Sequence, residues 1–130
     1  MNLISSQTNS LNGKVVCPGD KSISQRILIL GSLLNCNTSI KGFLDAYDPN
    51  STLNALNLIG SSIVKTKTRI ILNKRIQSFK KPEKDLDLGN SGTGMRLMLG
   101  LLSGLGIRAT LTGDSSLSKR PMLRVIKPLM

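Results

Sequence analysis

Gly19-Asp20-Lys21-Ser22-Ile23-Ser24-Gln25-Arg26-Ile27-Leu28 returns about seventy residues later as Gly89-Asn90-Ser91-Gly92-Thr93-Gly94-Met95-Arg96-Leu97-Met98. Each copy runs glycine, polar residue, small residues and then an arginine seven places on, and the arginine opens an apolar segment, Ile27 to Leu34 or Leu97 to Leu105. Small polar residues ahead of an apolar run mark a helix start, because their side chains cap the free N–H groups of the first turn. The pattern predicts two equivalent helices, the first beginning at Ser22, in a chain built from repeats of about seventy residues.

A β-like run follows each helix, Thr38 to Phe43 and Arg108 to Thr112, closed by Gly42 and Gly113. Pro49 and Pro121 then stand where the first turn of a helix tolerates proline, and Leu53, Leu56 and Ile59 give a helical stripe. Ser62 to Lys65 and Arg69 to Leu72 read as a hairpin. The unit is therefore helix, strand, helix, strand, strand, and the second copy stops at Met130 inside the helix expected from Pro121. Repeats of this kind cover one another's apolar faces. The 130 residues are thus expected to be a fragment, marginal in stability unless association covers the open faces.

Composition narrows the chemistry. Eighteen Lys and Arg against seven Asp and Glu leave a net charge of +11, which calls for an anionic partner. The only rings are Phe43, Tyr47 and Phe79, too few for the repeated base stacking of single-strand binders. No apolar run approaches the roughly 18 residues of a membrane span, and the N-terminus lacks signal-peptide order; a cytoplasmic protein is expected. Cys17 and Cys36 lack C-x-x-C spacing and histidine is absent, so disulfides, zinc and Ser-His-Asp chemistry are not expected. The basic stretch Lys65, Lys67, Arg69, Lys74, Arg75, Lys80, Lys81 and Lys84 reads as the wet face and turn of a hairpin, where lysines guard a sheet edge.

Three polar clusters carry the chemistry. In the first, Ser22 and Arg26 lie four apart on one helical face, so a hydroxyl, a guanidinium and helix-start N–H groups can converge on an anion beside the mobile charge of Lys21. The spacing is not that of a Walker A loop. In the second, alternate glycines from Gly89 to Gly94 let a ligand approach the backbone and let successive N–H groups form an anion nest. Arg96 is expected to brace that loop by pairing with Asp20 or Asp114. In the third, Gly113-Asp114 and Lys119-Arg120-Pro121-Met122, the Arg120 guanidinium would act together with the dipole of a helix starting at Pro121.

Together the clusters resemble the 5-enolpyruvylshikimate-3-phosphate synthase family. Lys21-Ser22-Ile23-Ser24-Gln25-Arg26 matches its K-S-x-S-x-R signature, Gly89 to Arg96 its G-N-[AS]-G-T-x-x-R loop, and Gly113-Asp114 with Lys119 to Met122 its G-[DE]…R-R-P-M segment. Ser91 and Leu97 stand where many members have alanine and proline, departures expected to threaten no contact. The resemblance implies an α/β fold, a partial lobe of an inside-out α/β barrel made of βαβαββ units. Six such units of about seventy residues give roughly 420 in two lobes with a cleft between. Residues 1–20 would pack with the other lobe, 21–88 would form the first unit, and 89–130 an incomplete second.

The implied reaction moves the enolpyruvyl group of phosphoenolpyruvate to the 5-hydroxyl of shikimate 3-phosphate, by addition and then elimination of phosphate. It belongs to aromatic amino acid biosynthesis and uses no metal, nucleotide or other cofactor. By resemblance, Lys21 contacts both substrates near the reacting centre. Ser22 and Arg26 hold shikimate 3-phosphate, while Asn90, the Gly92 backbone and Arg120 hold phosphoenolpyruvate. Gly92 is also where the family admits glyphosate. The acid-base carboxylates would lie beyond Met130, so the isolated segment is expected to show no turnover, and the full-length enzyme to be a monomer without nucleic-acid or membrane partners. Two other readings remain open: a UDP-sugar enolpyruvyl transferase, which usually lacks the Ser and Arg of the first motif, and a small basic nucleic-acid-binding protein.

Overall fold

The computed structural model describes residues 2–34, 36–74 and 78–130. Residues 2–18 are exposed and form neither helix nor strand. Regular structure starts with α1 (Lys21–Leu33), one residue earlier than the repeat predicts, because the Asp20 side chain caps it by accepting from the Ile23 N–H at 2.7 Å. Then come β1 (Thr38–Ile40), α2 (Tyr47–Leu58), β2 (Ser62–Lys65) and β3 (Ile70–Asn73), the expected helix, strand, helix, strand, strand. β1 and β2 both pair antiparallel with β3, giving a sheet in the order β1-β3-β2. Pro49 is the third residue of α2, where its missing N–H has no helical partner to lose.

The second half departs more from the expected pattern. A two-residue strand, β4 (Leu86–Asp87), precedes the glycine loop, and α3 (Gly92–Gly104) begins within that loop, not after it. β5 (Leu111–Thr112) pairs parallel with β4, so β4-α3-β5 is a crossover unit, and Arg108 to Thr110 lie outside the strand. A single 3-10 turn (Leu117–Lys119) leads to α4 (Leu123–Leu129), two residues later than Pro121 predicts. Arg120, ahead of the proline, is extended at φ −78 and ψ 136, and Met122 is the residue that precedes the first turn of α4.

One apolar cluster unites both halves. Leu28 of α1, Leu56 of α2, Ile70 and Leu72 of β3, Leu86 of β4, Met98 of α3 and Leu117 of the 3-10 turn all belong to it and are essentially inaccessible to water. Apolar burial at about 25 cal/mol per Å2 drives this packing, and it brings the starts of α1, α2 and α3 together. The opposite side of α1 stays open, with Ile23, Ile27, Leu30 and Leu34 exposed at helical spacing. The described basic residues from Lys65 to Lys84 are exposed, although Lys65 pairs with Asp45; Arg75 lies outside the described residues.

Candidate functional site

α1 carries the first motif. Lys21 is half exposed and its Nζ lies 3.1 Å from Asp48 Oδ2 in the first turn of α2, so it is tethered and not wholly mobile. The Arg26 guanidinium folds back along the helix, NH1 donating to the Ser22 carbonyl at 3.1 Å and leaving its other donors in solvent. Ser22 and Arg26 are thus neighbours on one face. The free N–H groups expected at this helix start are partly taken, since Asp20 occupies that of Ile23.

The glycine loop folds into a turn that its sequence requires. Gly89 has φ +56, a left-handed conformation, and a Cβ there would run into the Tyr47 ring. Ser91 then caps α3, its Oγ accepting from the Gly94 N–H at 3.0 Å. Asn90 points the other way and joins the second motif to the third. Its Oδ1 accepts from Arg120 at 2.5 Å and its Nδ2 donates to Asp114 Oδ2 at 2.6 Å. This acceptor and donor pair fixes the amide orientation. The hydrogen bond from Asn90, that from the Leu117 N–H and the nearby Arg120 charge hold the Asp114 carboxyl below its ordinary value. Asp114 also receives the Leu117 N–H at 2.7 Å, and Leu117 is anchored in the core, so Arg120 follows three residues after a fixed point.

Gly92 is where two guanidiniums meet. A Cβ placed there would lie 2.7 Å from Arg120 NH1 and 3.2 Å from Arg96 NH1. The bracing expected of Arg96 is not found: among the described residues no carboxylate pairs with it, Asp20 and Asp114 being engaged with Ile23 and with Asn90 and Leu117. Arg96 instead donates from NH1 to the Gly92 carbonyl at 3.4 Å, and its buried Nε has no hydrogen-bond partner among the described residues. The reason is geometric. Arg96 lies four residues after Gly92 within α3 itself, so its side chain runs back along the helix toward the first turn.

Two guanidiniums that form no salt bridge among the described residues, beside a glycine that leaves the backbone open, form a surface suited to a phosphate or carboxylate. Among the described residues no group of three or more Cys, Asp or Glu side chains could hold a metal ion. A separate shallow cavity, bounded by Lys81 to Asp85 and Arg108, lies away from the motif residues.

Residues 5–130 match the family model of EPSP synthase (3-phosphoshikimate 1-carboxyvinyltransferase). The chain belongs to the EPSP synthase family. It is 51% identical over 123 residues to a 3-phosphoshikimate 1-carboxyvinyltransferase of Gloeothece citriformis, covering 92% of this chain and 28% of that protein. It is 46% identical over 123 residues to the one of Oceanobacillus iheyensis, covering 94% and 29%. Its backbone superposes on EPSP synthase from Acinetobacter baumannii with a TM-score of 0.83 at 42% identity, over 90% of this chain and 27% of that one. The chain spans under a third of the length of these EPSP synthases. Their fold bears out the α/β partial-lobe architecture that the three motifs imply.

The sequence reading assigns no contact to three residues beside these motifs. Gln25, Thr52 and Ser91 are fully buried and hydrogen-bonded together, although Gln25 and Ser91 stand 66 residues apart. A serine just before Gly-Thr-Gly and an apolar run signals an N-cap, which would have found Ser91. Gln25 is three residues before Leu28 and four before Ile29, a spacing that places it on the packed face of α1.

Proposed function

We propose that the chain supplies one wall of the cleft of a cytoplasmic enzyme that transfers the enolpyruvyl group of phosphoenolpyruvate to the 5-hydroxyl of shikimate 3-phosphate. The support is the convergence of three motifs distant in sequence: Gln25 of the first bonds Ser91 of the second, and Arg120 of the third bonds Asn90 of the second. In this reading Ser22 and the free donors of Arg26 hold the shikimate carboxylate. Guanidinium offers the planar fork that a lysine lacks. Asn90, the backbone at Gly92 and Arg120 hold phosphoenolpyruvate, and Lys21 stands between the two.

Each substrate carries phosphate and carboxylate, so bringing the two together requires several cations to offset their mutual repulsion. Lys21 is available for this, because an exposed ion pair such as that with Asp48 is worth only about 0–1 kcal/mol and an arriving anion displaces it easily. In the reaction the 5-hydroxyl loses its proton as its oxygen bonds to C2 of phosphoenolpyruvate, and C3 gains a proton as the C2–C3 double bond opens. C3 then loses a proton, the C2–C3 double bond re-forms, and the C2–O bond breaks with its electron pair leaving on phosphate. Lys21 and Arg120 stabilise negative charge on the phosphate through both steps. The proton transfers need acid-base groups outside these 130 residues, so the chain alone turns nothing over.

The test is titration of the isotopically labelled chain, followed by NMR, with phosphate release measured in parallel. Shikimate 3-phosphate is expected to move the amide signals of Ser22 and Arg26, phosphoenolpyruvate those of Asn90 and Gly92, and no phosphate is released. Phosphate release by the chain would contradict the division of labour. Indifference to both anions, with a steeply salt-dependent affinity for duplex DNA, would replace the reading.

A further inference from the structure

We infer that Gln25 is a positioning residue that locks the glycine loop of the second motif to the helix carrying the first. This rests on the substrate reading above for the identity of the ligands, but its geometry stands apart from them. Gln25 is wholly buried, and its Nε2 lies 2.7 Å from Ser91 Oγ, 3.0 Å from Thr52 Oγ1 and 3.3 Å from the Asp48 carbonyl. A carbonyl only accepts, so Asp48 fixes which end of the amide faces this cluster. Ser91 Oγ in turn accepts from the Gly94 N–H that opens α3.

The same turn of α1 presents Lys21 to the Asp48 side chain and, four residues on, Gln25 to the Asp48 backbone and Ser91. One residue thereby sets the distance between the cation of the first motif and the Asn90 to Gly92 backbone of the second. Two observations show that the knot is closely fitted. A Cβ at Gly94 would lie within 3.0 Å of Ser91 Oγ, Thr52 Oγ1 and Gln25 Nε2 at once. Gln25 Oε1 is buried with no partner among the described residues, a cost that an apolar side chain beside Leu28 would not carry. Stability alone does not favour glutamine here, whereas fixing a loop relative to a helix does.

The experiment compares the wild-type chain with Gln25→Met, which keeps the volume and removes the donor, by amide hydrogen exchange and by titration with phosphoenolpyruvate and shikimate 3-phosphate. Loss of one buried hydrogen bond is expected to speed Gly94 N–H exchange by about tenfold while the Met98 amide stays as slow as in the wild type. The response of Asn90 and Gly92 to phosphoenolpyruvate should weaken by a comparable factor, and that of Ser22 and Arg26 to shikimate 3-phosphate should persist. Wild-type exchange at Gly94 in a folded variant would overturn the inference. If Gln25→Met loses its amide dispersion, Gln25→Asn, which stays polar but cannot reach Ser91, is read in its place. Collapse of both variants would also overturn the inference, because the network would then hold the fold and not the loop. Faster Gly94 exchange in a chain whose wild type ignores phosphoenolpyruvate would keep the positioning role and remove the substrate reading.

Discussion

Gly92→Ala puts a methyl group into the space between two guanidiniums. The new carbon would sit 2.7 Å from Arg120 NH1, where ordinary contact begins near 3.4 Å, so the guanidinium must retreat by roughly 0.7 Å or more. Arg96 NH1 at 3.2 Å limits the escape on the other side, and retreat stretches the 2.5 Å bond from Arg120 to Asn90. A hydrogen bond to a charged group contributes about 1.5–3 kcal/mol, which corresponds to about tenfold to a hundredfold in affinity. In an EPSP synthase that carries this chain in place of its matching stretch, the KM for phosphoenolpyruvate should rise by that factor and inhibition by glyphosate should fall. Binding of shikimate 3-phosphate should change little, since Ser22 and Arg26 lie on α1. Steady-state kinetics with each substrate varied in turn reads all three. An unchanged KM together with unchanged inhibition would refute the steric reasoning.

Other substitutions follow from the same packing. Gly94→Ala meets three polar atoms within 3.0 Å and should destabilise by about 1–3 kcal/mol, whereas Gly100→Ala, on an open face of α3, should stabilise by about 0.5–1 kcal/mol; urea midpoints of the two variants should move in opposite directions. Leu56→Ala removes a wholly buried side chain of the core cluster and should cost about 2–5 kcal/mol, read as a lowered urea midpoint. The carboxyl of Asp114 titrates below its unfolded value, so its contribution is present above the ordinary carboxylate pKa and is lost as pH falls through the lower folded one. Asp114→Asn should therefore be less stable than the wild type at pH 7, with the gap closing below about pH 4, as measured by urea unfolding at both values.

What the sequence reveals here depends on range. α1, α2 and the β2–β3 hairpin are legible because capping residues, apolar spacing and turn residues all act within a few positions. The glycine-loop helix is displaced because Ser91, and not the glycines, sets its start, while α4 starts after Met122 and has no side-chain cap to mark it in the sequence. β4 is invisible to periodicity: two residues have no period, and Leu86–Asp87 becomes a strand only when α3 carries the chain back to pair it with Leu111–Thr112. At the site, the three motifs are legible as residue types, but their contacts are not. Arg96 has acids available in the sequence, yet helical geometry turns it toward Gly92, and Gln25 gains its role from a partner 66 residues away.

The most direct test replaces the matching stretch of the Acinetobacter baumannii EPSP synthase, to which this chain is 42% identical, with residues 5–130 of this chain. Phosphate release is then followed with both substrates present. The account predicts turnover in the chimera, lost on Lys21→Ala and reduced by at least about tenfold on Arg120→Met. A folded, monodisperse chimera without turnover, or one indifferent to both substitutions, would contradict the claim that this chain forms a wall of the enolpyruvyl-transfer site.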